Sequence, residues 1–144
     1  MKYTLIKIGR DGQQLANESA EWDAVLVQEL GLMYGAKVLP EALDYDDAKA
    51  ACAALSVSGF SDWRLPERDE LESILDLSRH SPAIDSDFFP DTPDDDLYWT
   101  NTLTAWSSDR AWIVGFQDGY VNHLNRAYAA FVRPVRAVSP GEMA

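Results

Sequence analysis

The sequence predicts an α+β domain with two helices in its middle and strands toward both ends. Three observations carry that expectation. Apolar residues recur at helical spacing after Asp44 and again after Pro66. Alternating apolar runs occupy the first eight residues and most of the last third. Between two of those runs stands Gln117-Asp118-Gly119-Tyr120, where Asp-Gly suits the positive φ angles of a two-residue hairpin turn. The chain has 144 residues, 47% apolar and 25% charged, enough for one core and too few for two, so residues 1–144 are read as a single domain.

Lys2 to Ile8 is the first strand, with Tyr3, Leu5 and Lys7 alternating with Thr4, Ile6 and Ile8 before the turn Arg10-Asp11-Gly12. Trp22 to Gln28 is a second extended segment, and the glycines of Gly31-Leu32-Met33-Tyr34-Gly35 bracket a short strand or turn. Asp44 caps the first helix, helped by Asp47 and the helix dipole. Ala48, Ala51, Cys52 and Leu55 form its packing stripe, and Gly59 is its expected stop. Pro66 starts the second helix, Glu67 to Leu75, with Leu71, Ile74, Leu75 and Ser78 inward. Pro82, Pro90 and Pro93 forbid a long regular element over 81–96, leaving an ordered loop pinned by Ile84, Phe88 and Phe89. Tyr98 to Leu103, Ala111 to Gln117, Tyr120 to Asn125 and Phe131 to Val138 read as strands. The second is central, because Trp112, Val114 and Phe116 on one face and Ala111 and Ile113 on the other are all apolar.

Charge excludes whole classes of function. Twelve basic residues against twenty-four acidic ones leave a net −12, which disfavours direct binding to nucleic acid or to an anionic membrane. The excess lies between Glu41 and Asp96, where sixteen acids face four bases; it is either a solvated face or a surface for a basic partner. No apolar run approaches the roughly 18 residues of a membrane span, and the start is a charged strand rather than a signal peptide, so a cytoplasmic protein is expected. Cys52 is the only cysteine, which rules out an internal disulfide and argues against a cysteine-based zinc site; on its helix stripe it reads as a buried thiol. His80 and His123 stand in no nucleophile motif, and Asp91, Asp94, Asp95 and Asp96 lack the alternating spacing of a calcium loop. No catalytic residue, metal or cofactor is expected.

Gly59-Phe60-Ser61-Asp62-Trp63-Arg64-Leu65-Pro66, followed by Glu70-Leu71, resembles the DUF1566 family, also named for the C-terminal domain of the Legionella collagen-like protein. Gly31-Leu32-Met33-Tyr34, Ala48 to Leu55, Pro82-Ala83-Ile84-Asp85 with Phe89-Pro90, Tyr98-Trp99-Thr100-Asn101-Thr102, Ala111-Trp112 and Val132-Arg133-Pro134-Val135-Arg136 follow in family order. The likeness runs over 22–138 and leaves 1–21 as an N-terminal strand and extension. It implies a C-type lectin-like fold, similar to the formylglycine-generating enzymes: two helices packed on one twisted, mainly antiparallel sheet with long loops. Within it Trp63 is a core anchor and Arg64 a partly buried ion-pair partner. The chain departs from the family pattern at Glu67, where many members have a capping Thr, at Pro134, where members often have a second cysteine, and at Thr100-Asn101, where Ser-Ser is usual. The first departure implies a helix start held by charge rather than by a hydroxyl. The lone Cys52 does not carry over the cysteine pair of the formylglycine-generating enzymes.

In the lectin-like scaffold the last hairpin and its neighbouring loops face outward. Here they carry Trp106, Asp109, Arg110, Asn122, His123, Asn125, Arg126 and Tyr128, a mixture of aromatic, amide and cationic groups suited to recognising a protein or glycan. The Val132 to Arg136 ending is also similar to the end of the variable segment in retroelement-diversified bacterial and phage receptor-binding proteins. The expected function is therefore a non-enzymatic recognition module of bacterial or phage origin, in the host cytoplasm or on a virion. The alternative is an acidic phage inhibitor that uses Asp91, Asp94, Asp95 and Asp96 to imitate nucleic acid before a basic host complex; an enzyme of the formylglycine-generating group ranks last.

Overall fold

Short apolar runs rich in branched residues build the first half of the molecule. In the computed structural model, which describes residues 3–90, 92 and 96–139, Leu5–Ile8 (β1), Ala24–Val27 (β2) and Leu32–Gly35 (β3) pair antiparallel in sequence order. All four residues of β2 are buried, as expected of a strand covered on both faces. Tyr45–Ala53 (α1) follows, with Asp44 accepting the Asp47 N–H at 2.9 Å as its cap. Arg68–Glu72 (α2) is shorter than its apolar pattern suggests, though Leu71 and Ile74 are buried as expected. Leu97–Thr104 (β4), Ser107–Gly115 (β5) and Tyr120–Asn125 (β6) form an antiparallel meander with β5 in the centre, and Val135–Ala137 (β7) returns to pair with β3. No helix among the described residues is long and apolar enough to cross a membrane.

The fold is mixed α+β, but with two antiparallel sheets, β1-β2-β3-β7 and β4-β5-β6, instead of the single sheet expected. Pro134 explains much of the division. Phe131 bonds back to Leu97 and Trp99 beside the second sheet, whereas Val135 already pairs with Tyr34 in the first; the proline between them has no N–H with which to continue a ladder. The run expected as a strand from Phe131 to Val138 is therefore a strand only over its last part. Two other boundaries move. Gly59 does not end α1, whose cap is Ala54; it forms a tight turn with Ser58 between Val57 and Phe60. The β5–β6 connection spans Phe116 to Gly119, and of its residues only Gly119 has positive φ, so it is a four-residue loop and not a two-residue turn.

Core packing follows the strands. Val25, Val27, Tyr34, Leu71, Ile74, Ile84, Phe89, Val114 and Phe116 bury together, so Ile84 and Phe89 do pin the proline-rich loop. Ala48 and Cys52 lay the small face of α1 against Trp99, Ala111 and Ile113, and Trp63 anchors a third cluster with Ile8, Leu26 and Met33. Arg64 grips Glu70 with a two-pronged contact at 2.7 and 2.9 Å.

Arg133 is fully buried, donating to Gly35 O at 2.7 Å, Ala36 O at 3.0 Å and Thr92 Oγ1 at 2.6 Å. Arg133→Met strands those acceptors, and urea unfolding is expected to show a loss of about 3 kcal/mol; a loss no larger than that of Lys37→Met, at an exposed side chain, would refute the assignment. A second prediction concerns acid. Burial pushes the Glu70 carboxyl up, but the Arg64 fork and the Glu67 N–H outweigh it and hold it below the ordinary 4.5. Such a group contributes stability that is fully present above 4.5 and is lost as pH falls through its lower folded value. Glu70→Gln should therefore lower stability by about 1 kcal/mol at neutral pH, given the solvent exposure of Arg64. The difference from the unmodified chain should close in acid, and a pH-independent difference would contradict it.

Candidate functional site

Alternation along β5 and β6 sorts the outward-facing residues of the hairpin onto two faces. Trp112 pairs with His123 and Arg110 with Asn125, while Ile113 pairs with Asn122 and Ala111 with Leu124. Arg110, Trp112, His123 and Asn125 thus share one face, and Asp109, Asn122 and Leu124 share the other.

On the first face three aromatic rings meet edge to face. Trp106 stands at the tip of the β4–β5 hairpin, 63% exposed. Its ring centroid lies 5.8 Å from that of Trp112 and 5.2 Å from that of His123, and the last two lie 5.5 Å apart, with interplanar angles of 81–88°. The Arg110 guanidinium donates to His123 Nδ1 at 2.9 Å, which leaves the neutral ring's proton on Nε2 as an outward donor. The Arg68 guanidinium lies over the Trp112 ring, 4.2 Å from its centroid. The result is a rigid corner with one freely presented indole and two cations, apolar on its faces and hydrogen-bonding at its edges.

Arg68 reaches this corner because of how α2 begins. The expected charge-only start is incomplete: the hydroxyl cap that Glu67 lacks comes from another strand. Thr102 Oγ1 accepts the Arg68 N–H at 2.9 Å and donates to Glu67 Oε2 at 2.8 Å, while Asn101 Nδ2 donates to Glu67 Oε1 at 2.8 Å. Glu70 turns back to accept the Glu67 N–H at 2.8 Å. A register shift in β4 between Trp99 and Leu103 is what frees Asn101 and Thr102 to point at the helix. Glu67 and Asn101, two of the positions at which the chain departs from the family pattern, are therefore direct partners.

Of the residues expected at the site, Trp106, Arg110 and His123 are brought into contact and Asn125 shares their face. The others are engaged elsewhere. Arg126 forms an ion pair with Asp46 and lies 4.7 Å from the Tyr45 ring centre, tying β6 to the start of α1. Asp109 offers its carbonyl to the Arg126 N–H at 2.8 Å, and Asn122 donates to the Tyr120 hydroxyl. Asn125 Oδ1 accepts the Ala127 N–H at 2.9 Å, and Tyr128 is exposed in the turn beyond. Asp91, Asp94 and Asp95 lie outside the described residues; Asp96 is half-buried just before β4. Sequence reasoning missed Trp112 and Arg68. Trp112 was expected under cover with Val114 and Phe116, yet it is half-exposed; Arg110 and Ser108, two and four residues earlier on the same face, were the signal that this end of the strand meets solvent. No local signal marks Arg68, which arrives through the docking of α2.

Burial pushes the Cys52 thiol up to about 12, which makes it a poor nucleophile at neutral pH. The family described as the Lcl C-terminal domain matches residues 17–136. No curated protein matches the chain. The thiol assignment predicts that a maleimide or disulfide reagent modifies native Cys52 only as fast as the protein opens, and immediately in denaturant; rapid stoichiometric labelling of the native protein would overturn it.

Proposed function

The chain belongs to the Lcl C-terminal domain family, and from that premise we propose that it is a recognition module without catalytic activity, binding a glycan or protein partner at the Trp106 corner. One observation supports this reading above the rest: Trp106 is largely exposed and yet held in place by two perpendicular rings. An aromatic ring already fixed before binding loses little conformational freedom when a partner covers it, so its apolar area converts efficiently into affinity. His123 Nε2 beside it, Arg110 behind His123 and the Arg68 nitrogens not engaged by Glu72, over Trp112, are donors for hydroxyl, carbonyl or carboxylate oxygens. A sugar ring fits this chemistry through its C–H face on the indole and its hydroxyls on the donors. A protein loop fits it through a carbonyl or an acidic side chain.

The origin in a bacterium or its phage, and a place in the host cytoplasm or on a virion, belong to the same proposal; a chain that needs no disulfide suits a reducing compartment. The acidic-inhibitor reading draws on the excess of acid between Glu41 and Asp96, but at least six of those sixteen acids, Asp46, Asp62, Glu70, Glu72, Asp76 and Asp85, are in ion pairs with arginines of the same chain.

The test is a glycan array run beside affinity capture from bacterial lysate, with the identified ligand then titrated against variants. Trp106→Ala is expected to weaken binding at least about tenfold while changing stability by under about 1 kcal/mol, and Arg110→Gln to weaken it less. Binding that survives both substitutions, but is lost with steep salt dependence when Asp91, Asp94, Asp95 and Asp96 are changed to Asn, would replace this reading with the acidic inhibitor.

A further inference from the structure

None of the residues lining a cleft of about 470 Å3 belongs to the Trp106 corner. The cleft lies between the turn after β1, the Trp22–Asp23 entry to β2, the chain leaving β3 and the Val57–Phe60 turn, and its volume falls within the roughly 300–1,000 Å3 of small-molecule sites. Two further hollows share its Trp22 and Asp23 wall.

The distribution of cations singles this cleft out. With twice as many acids as bases, every base has an excess of carboxylates to choose from. Arg64, Arg68, Arg79, Arg126 and Arg136 are in ion pairs, Arg110 and Arg133 donate hydrogen bonds, Lys7 donates to two carbonyls and Lys49 lies over the Tyr45 ring. Among the described cations only Arg10 and Lys37 have no such partner, and both line the cleft. Asp23 on the same wall reduces their sum to a single positive charge.

Ser58 is the second, independent feature. It is buried in the cleft wall, and its hydroxyl has no hydrogen-bond partner among the described residues. Its backbone is left-handed at φ 56°, as is that of Gly59 at φ 81°, in a turn where Asn-Gly is the favoured pair. A serine in that position carries backbone strain, and its unmet hydroxyl is closed off beneath the cleft surface. Trp22 and Leu39 supply apolar surface alongside.

We propose that this cleft binds a small organic monocarboxylate, its carboxylate taken by Arg10 and Lys37 and its apolar body covered by Trp22 and Leu39. A single net positive charge matches a monoanion; a phosphate dianion would face Asp23 with its second charge. This site is separate from the Trp106 corner and stands or falls without it.

The test is a two-dimensional 1H–15N NMR titration of the full chain with benzoate, phenylacetate and hexanoate, each beside its neutral amide. At least one acid should produce saturable shifts at the Trp22 indole and the Ser58 and Gly59 amides, with its amide weaker by about tenfold. Arg10→Gln and Lys37→Gln should each weaken the acid about fivefold or more and leave the amide unchanged. Equal response to acid and amide, shifts confined to residues outside the cleft, or no saturable response across the three pairs would overturn the proposal.

Discussion

The guanidinium of Arg133 is the contact on which the two halves of the molecule depend. A buried cation is tolerated only where oxygen acceptors surround it, and here they come from the end of β3 and from Thr92 within the proline-rich loop, while the Phe89 ring centre lies 4.8 Å from the guanidinium carbon. One side chain therefore fixes the final segment against the first sheet and against the loop that leads to the second. Gly35 makes the approach feasible: a Cβ there would lie 2.9 Å from the Pro134 ring and 3.2 Å from the Lys37 carbonyl. Val135 then pairs with Tyr34 on one side and bridges to Arg64 on the other, so the short β7 strand joins elements that are far apart in sequence.

The same C-terminal region supplies counter-charges for the acidic middle. Arg126 reaches Asp46 and Arg136 reaches Asp62, holding the Asp62 carboxyl below its usual range, while the Arg136 guanidinium lies 3.9 Å from the centre of the Phe60 ring. Along the chain, the middle third is predominantly acidic, with sixteen acids against four bases between Glu41 and Asp96. Folded, at least six of its acids pair with arginines, and for two of them, Asp62 and Asp46, the partner lies 74 and 80 residues away. This is why a composition-based reading overstates how much negative surface is left for a partner.

The aromatic corner depends on the same kind of long-range support. Trp106 in the β4–β5 turn and Trp112 on β5 lie close in sequence, but the orientation of Arg68 over Trp112 follows from a helix start capped by Thr102 across the interface with β4. Glu67 replaces a local hydroxyl cap with a carboxylate that needs neighbours, and Asn101 and Thr102 are those neighbours. Two positions that look independent in the sequence are thus one arrangement, and its consequence extends to the surface where the proposed partner binds.

The sequence by itself determined the mixed α+β class, the family, the cap of α1 at Asp44, the packing stripe through Cys52, the Trp63 anchor, the Arg64 ion pair and the place of β5 at the centre of its sheet. Each of these follows from periodicity, from local capping, or from a short string of residues whose roles are set by near neighbours. Tertiary structure decided the split into two sheets, the four-residue loop before β6, the division of the hairpin residues between two faces, the diversion of Arg126 into a strut, the arrival of Arg68 at the corner and the isolation of Arg10 and Lys37 beside Ser58. Those outcomes rest on which distant groups satisfy one another's charges and hydrogen bonds. No window of consecutive residues contains that information, because Arg126 and Asp46, or Thr102 and Arg68, become neighbours only after the chain has folded.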